Sequence, residues 1–204
     1  SYDDYKSYQA AYEESYAAAK DELYTGGYRI YTSLDPAKQE ILQSAVDQVL
    51  SFDAETADNG IYALQGAAVA VNNDTGLVEA IVGGRSQETS TYTLNRAFQS
   101  FRQPGSSIKP LIVYAPALEE GYASFSSVKD INVDAAKEPK ADVASLPGNW
   151  ITLRQAVEKS RNGAAWWLFN EVTPEEGLSY LTQMQFDKIV PDDYNMAASL
   201  GGFT

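Results

Sequence analysis

Tyrosines at positions 2, 5, 8, 12 and 16 recur at steps of three and four, with Ala10, Ala17 and Ala18 between them. That stripe predicts an amphipathic helix ending near Gly26-Gly27, a plain packing surface to which no chemistry is assigned. Tyr28–Ser33 alternates as a strand does, and Asp35-Pro36 reads as an N-cap followed by proline at the first helical position. The next helix is expected to bury Ile41, Leu42, Ala45, Val46 and Val49, and Asp53–Gly60 is a polar break. Two apolar runs, Gly66–Val71 and Leu77–Val82, flank the tight turn Asn72–Gly76 and predict an antiparallel hairpin closed by Gly83-Gly84.

Beyond a polar loop from Arg85 to about Tyr92 the pattern turns helical. Leu111–Glu120 forms an apolar helix up to Gly121, and Asp134–Gly148, rich in Asp, Lys and Pro, reads as a surface loop. Thr152 with Gln155 makes a capping box for a short helix to Lys159. Thr173, Pro174 and Glu176 open another that runs to about Gln185. Strands early and helices late, with one hairpin in view, give an α+β class in which helices pack on an antiparallel sheet. Three strands make a thin sheet, and S-L-G-G-F-T at the end brings neither cap nor closing strand. The fold is therefore expected to be incomplete at its C-terminus.

Composition narrows the chemistry. Hydrophobic residues make up 44% of 204, a folded composition. No apolar run approaches the roughly 20 residues of a membrane span, and no signal peptide opens the chain, so any anchor is expected outside it. A net charge of −13 argues against nucleic-acid or anionic-membrane partners. Cysteine and histidine are both absent, which excludes thiolate or imidazole zinc sites and every Cys or His mechanism. A catalytic base must come from Lys, Asp, Glu or Tyr.

The stretch R-Q-P-G-S-S-I-K-P, Arg102 to Pro110, offers such a base. If Pro104-Gly105 turns the chain into a helix at Ser106, Lys109 lies one turn on, over the same face. Packing among Ile108, Leu111 and Ile112 would strip water from Lys109 and lower its pKa, and a neutral amine can take the serine proton. Spacing alone is weak support, since S-x-x-K arises by chance about once per 200 residues. On spacing alone, a capping serine and a snorkelling lysine are the better reading. Ser126–Lys129 repeats the pattern with no Pro-Gly ahead of it and with Asp130 as a ready salt partner, and reads as loop or surface. Ser160-Arg161-Asn162 is the only S-x-N in the chain. In extended or looped backbone, Ser160 and Asn162 point the same way and can face one cleft, or they form an ordinary polar connection between helices.

In this order the two motifs resemble those of the transpeptidase domain of class A penicillin-binding proteins. G-Y-R-I-Y-T-S-L-D-P (Gly27–Pro36), the hairpin Ala67–Gly84, N-R-A (Asn95–Ala97) and S-L-G-G (Ser199–Gly202) extend the likeness from about residue 22 to the end. The resemblance implies that residues 1–26 are an interdomain linker helix and 27–204 the N-terminal part of the domain. It implies Ser106 as acylated nucleophile with its N–H as half of an oxyanion hole, and Lys109 as general base. Ser160 would be the proton relay to the leaving amine, and Asn162 the ligand of a peptide or β-lactam amide. The reaction implied is D,D-transpeptidation of peptidoglycan stems ending in D-Ala-D-Ala, which β-lactams inhibit by acylating the same serine, with no cofactor or metal.

The family's K-T-G is not found. It is expected in a C-terminal remainder, in the same chain or a separate one, and without it this stretch alone is expected to be inactive. A glycosyltransferase domain and a membrane anchor are expected outside this chain, at the extracytoplasmic face of the bacterial membrane. A D,D-carboxypeptidase, a serine β-lactamase and a non-catalytic cell-wall binding or sensor module are the alternatives. Arg161 stands where class A β-lactamases carry Asp.

Overall fold

The computed structural model describes residues 4–57, 60–86, 93–138 and 140–203. The ends of the tyrosine stripe (Tyr2), of the polar break (residues 58 and 59) and of the Arg85–Tyr92 loop (residues 87–92) lie outside them. Two units divide the chain, Ser1–Ser100 and Phe101–Thr204.

In the first unit, helix α1 (Tyr5–Thr25) starts at a capping box between Asp4 and Ser7 and stops at Gly26. None of its residues is buried, so the tyrosine stripe is not a packing face within this chain. The rings instead follow one another up the helix, with centroids 6.2–6.4 Å apart from Tyr5 to Tyr16. The expected strand Tyr28–Ser33 does not form. Only at its far end is the chain tied to the hairpin, through Ser33 Oγ on Val78 O and Asp35 N–H on Glu79 O.

Asp35 caps α2 (Pro36–Val49) as expected, accepting from the N–H groups of Ala37 and Lys38. The expected buried face is overturned: no residue of α2 is buried, and Ile41 is 69% and Val49 71% exposed. The side turned to the hairpin is polar. Gln39 exchanges two hydrogen bonds with the backbone of Ile81, and Gln43 donates to Gly84 O. Lys38 pairs with Glu79. A period of four in Gln39, Gln43 and Asp47 thus serves the backbone of a strand edge, which a search for apolar periodicity passes over.

Strands β1 (Ala68–Val71) and β2 (Val78–Val82) pair antiparallel from Ala68↔Val82 to Val71↔Val78, with a bulge at Ala70/Val71. Asn72 closes the turn through its side-chain oxygen, and Gly76 at φ +71° supplies the left-handed residue. The short helix α3 (Arg96–Gln99) follows, capped by Asn95, which packs against Gly83.

The second unit holds nearly all of the core. A helical run leads from a 3-10 turn (Gly105–Ile108) through a π turn (Pro110–Tyr114) into α4 (Ala115–Glu119). Strand β3 (Ser127–Ile131), helix α5 (Val133–Ala136), strand β4 (Gly148–Thr152) and helices α6 (Leu153–Glu158), α7 (Asn162–Val172) and α8 (Pro174–Gln183) follow, then a 3-10 turn (Met196–Leu200). The capping box of Thr152 and Gln155 and the cap of Thr173 on Glu176 both form as the sequence predicts.

The β3–β4 pair, antiparallel from Ser127↔Thr152 to Ile131↔Gly148, is a second small sheet that the hydrophobic pattern misses. Neither S-V-K-D-I nor G-N-W-I-T alternates cleanly, so neither declares a strand. The expected loop Asp134–Gly148 accordingly begins inside α5 and ends in β4, and it buries Ala136 and Val143. Apolar α7 runs through the centre, burying Ala164, Ala165, Leu168 and Phe169 against Ile112, Val113 and Leu178. The α+β class holds, with two two-stranded sheets among the described residues in place of one thin sheet. No helix among the described residues is long and apolar enough to cross a membrane.

Candidate active site

Prolines and one glycine shape the run that carries Ser106. Gly105 stands at φ +56°, a region that favours glycine, and turns the chain into the helix. Ser107, the second serine of the motif, donates its hydroxyl back to Pro104 O at 2.7 Å and closes that turn. Further on, Pro116 lacks an N–H and its ring crowds the carbonyl four residues earlier. The preceding turn widens, and the Ala115 N–H reaches Pro110 O. Ser106 is left exposed at the start of the run, while Lys109 one turn later is 1% exposed.

Buried that deeply, an ammonium needs acceptors, and Lys109 has them. Its Nζ lies 3.0 Å from Ser160 O, 3.3 Å from Ser160 Oγ and 2.6 Å from Asn162 Oδ1. Loss of water to burial holds its pKa below the ordinary lysine value. The partner set decides what the neutral amine can do. The carbonyl of Ser160 and the amide oxygen of Asn162 can only accept, so they take two N–H bonds. A neutral amine has only two, which leaves its lone pair for a hydroxyl. A neutral Lys109 in this arrangement would have its lone pair free only for a hydroxyl such as that of Ser160 or Ser106.

The residues around Lys109 come from the end of α6. Ser160 N–H bonds to Val157 O and Arg161 N–H to Ala156 O, the two bonds of a Schellman helix end. The left-handed position in that motif usually belongs to glycine, yet it is held here by Ser160 at φ +47°. A non-glycine residue there carries strain of about 1 kcal/mol or more. The turn aims both the carbonyl and the hydroxyl of Ser160 at Lys109. Asn162 shares that side, as the two-residue spacing predicts, but it is the first residue of α7 and not part of a loop. The Lys109 hydrogen bonds go to Ser160 and Asn162 and not to Ser106.

S-L-G-G packs behind the turn that leads to Ser106. Gly201, at φ +73°, comes so close to Gly105 that a Cβ on it would lie 2.6 Å from Gly105 Cα. Two left-handed glycines in contact hold the turn from which Ser106 projects.

In the second S-x-x-K, Ser126 lies in the loop ahead of β3 as expected, but the expected ion pair of Lys129 with Asp130 does not form. Lys129 lies on β3, donates to Ala144 O at 3.1 Å and sits over the Trp150 ring at 5.8 Å. Asp130 pairs with Arg161 instead. This pair and the close packing of Gly163 on β3 escaped the sequence reading, because strand β3 itself gave no signal.

The family model described as penicillin binding protein transpeptidase domain matches residues 66–202. Penicillin-binding protein 4 of Bacillus subtilis is 35% identical over 199 residues, covering 94% of this chain and 29% of its own length. Penicillin-binding protein 1A of Clostridium perfringens is 34% identical over 170 residues, covering 76% and 25%. This chain therefore spans less than a third of the length of these curated relatives. Among solved structures, penicillin-binding protein 1A from Haemophilus influenzae superposes with a TM-score of 0.57 at 32% identity, over 72% of this chain and 24% of that one. PonA1 of Mycobacterium tuberculosis, in complex with penicillin V, gives a TM-score of 0.66 at 23% identity, covering 90% and 49%, which is a likeness of fold alone.

Proposed function

The chain belongs to the penicillin-binding protein transpeptidase family, and we propose that it carries the acylation half of a serine D,D-transpeptidase acting on peptidoglycan stem peptides. One observation supports this above the rest: a fully buried lysine whose three hydrogen bonds end on Ser160 and Asn162, one helical turn from an exposed serine.

In this reading Ser106 Oγ attacks the carbonyl carbon of the penultimate D-Ala, and its proton passes to neutral Lys109. The oxyanion that forms meets the Ser106 N–H, which lies in the first helical turn with no carbonyl ahead of it to bond. The C–N bond then breaks. The terminal D-Ala amine takes the Ser160 hydroxyl proton, which Lys109 replaces, while Asn162 holds a substrate amide. The amine of a second stem attacks the Ser106 ester and restores the free hydroxyl. A β-lactam, as D-Ala-D-Ala mimic, stops at the ester.

Residues 1–26 act as a linker helix to a further domain, residues 27–204 as the N-terminal part of the transpeptidase domain, and a C-terminal part with K-T-G supplies the remaining donors. The whole protein works at the extracytoplasmic face of the bacterial membrane, and its other domain is a peptidoglycan glycosyltransferase.

The test is covalent labelling of the protein in its natural full length by a fluorescent penicillin. The expected outcome is one long-lived adduct in the parent and none in Ser106→Ala. Labelling that survives the substitution removes Ser106 as nucleophile, and a parent that never labels points to a binding module.

A further inference from the structure

Four consecutive residues divide their contacts by turns. Ser160 and Asn162 face Lys109, while Arg161 and Gly163 face β3. On β3 both meet the same side chain. Asp130 Oδ2 accepts from Arg161 Nε at 2.7 Å and also pairs with Arg161 Nη2. A Cβ on residue 163 would collide with Ile131 O and lie 2.5 Å from Asp130 Oδ1. The Asp130 side chain is 7% exposed, so leaving it there without a partner would be costly. Among the described residues Arg161 is the only cation in ion-pair contact with it, since neighbouring Lys129 is turned to Ala144 O. Behind Asp130, the Tyr114 hydroxyl is buried without a hydrogen bond among the described residues. Burial first, and then the Asp130 charge, push that phenol up to about 12, so it stays neutral and supplies no charge in place of the arginine.

We propose that Asp130 is a positioning residue for acylation, gripping Arg161 and seating Gly163 so that the alternate residues Ser160 and Asn162 stay locked onto Lys109. The inference rests on the reading of Lys109 as base. Asp130 touches no reacting atom in it. The Schellman end of α6 fixes the height of the Ser160 turn through backbone bonds, and those survive any side-chain change. It does not fix the rotation of residues 160–162 about the chain. The ion pair on the far side does, because two nitrogens of the planar guanidinium, Nε and Nη2, converge on the single oxygen Asp130 Oδ2. Arg161, with half its side chain in solvent, has little packing to lose if the pair is broken.

The experiment compares Asp130→Asn, Arg161→Gln, Arg161→Lys and the Asp130→Asn/Arg161→Gln double variant in the full-length protein, following the rate and final amplitude of labelling by a fluorescent penicillin. Misplacing a catalytic group by about 1 Å costs up to about 100-fold in rate. The single variants Asp130→Asn and Arg161→Gln are expected to label about 10- to 100-fold more slowly yet reach full amplitude, because every molecule is folded. The double variant should be no slower than the slower single one, and Arg161→Lys, which keeps the charge, should recover part of the rate.

A structural role alone would lower the amplitude and leave the rate of the folded fraction unchanged. That result, a parental rate in both single variants, or losses that multiply in the double variant, overturns the proposal. Should Asp130→Asn not fold, Arg161→Gln on the exposed side decides alone. The Ser106→Ala and Lys109→Met controls keep the two ideas apart: if either still labels at the parental rate, the nucleophile and base reading fails, whatever Asp130 does.

Discussion

Ser-x-x-Lys is written twice in this chain, at Ser106–Lys109 and at Ser126–Lys129, and the two copies end in opposite settings. The first lies on a helical run, where three residues make nearly one turn and bring both side chains to one side. Its lysine is sealed from water and met by oxygens from a segment fifty residues away. The second runs into strand β3, where a spacing of three sends side chains to opposite faces. Ser126 there accepts the Ala123 N–H, and Lys129 reaches a backbone carbonyl and lies over an indole. Identical spacing therefore yields an exposed serine one turn from a buried lysine, the pair we propose as nucleophile and base, or two unrelated surface contacts. Backbone conformation decides which, and the Pro-Gly turn ahead of the first copy is what sets it.

Exchanging each lysine for methionine should split the copies most widely. Lys109→Met removes the proposed proton acceptor at nearly constant volume, and labelling by penicillin is expected to slow by about 100- to 10,000-fold, the usual range for a general base. Lys129→Met should label within about twofold of the parent. The pH dependence sharpens the contrast. Burial lowers the Lys109 pKa, so the amine becomes neutral as pH rises through a value below 10.5. The labelling rate should climb across that window, and the climb should be absent in Lys109→Met but kept in Lys129→Met. The same shift means that the unfolded chain binds the extra proton. The stability lost by burying the ammonium is thus recovered as pH rises from the folded pKa towards 10.5.

The next difference is strain. Only the first copy has a partner in the left-handed region, Ser160 at φ +47°. Ser160→Gly relieves that strain and removes the hydroxyl, so stability and activity should move in opposite directions. The melting midpoint is expected to rise by about 2–4 °C, as about 1 kcal/mol would give in a domain of this size, while labelling slows by at least about tenfold. A fall in both would mean that the hydroxyl holds the turn and that the strain argument is wrong.

How far the sequence foretold this depends on where each residue finds its partners. Caps and turns are local, and Asp35, Asn72, Thr152 and Thr173 act as their spacing predicts. Lys109 was legible because apolar neighbours on both sides announced its burial. The readings that failed all concern elements settled at a distance. Tyr28–Ser33 has strand-like alternation but only a single backbone bond to the hairpin, at Asp35 beyond its end, and stays irregular. Helix α2 has an apolar stripe yet offers the hairpin its glutamines. Strand β3 lacks alternation because Asp130 points inward to meet Arg161. A carboxylate buried in an ion pair looks, in one dimension, like a break in a strand, and so the pair behind the S-x-N went unread.

The smallest effect tests the serines by stability. Ser106 Oγ is exposed, so Ser106→Ala should leave the melting midpoint of the domain within about 1 °C of the parent even as labelling disappears. Ser126 has the opposite profile. Its Oγ accepts the Ala123 N–H at 2.9 Å in the turn that leads into β3. Alanine there strands that donor and should cost about 0.5–1.5 kcal/mol, a few degrees in the midpoint, with labelling kept. Function without stability at one copy and stability without function at the other is the pattern expected if only the first serine is chemically active. A Ser106→Ala protein that melts as early as Ser126→Ala would show that serine 106 also supports the turn, and the clean division between the two copies would be lost.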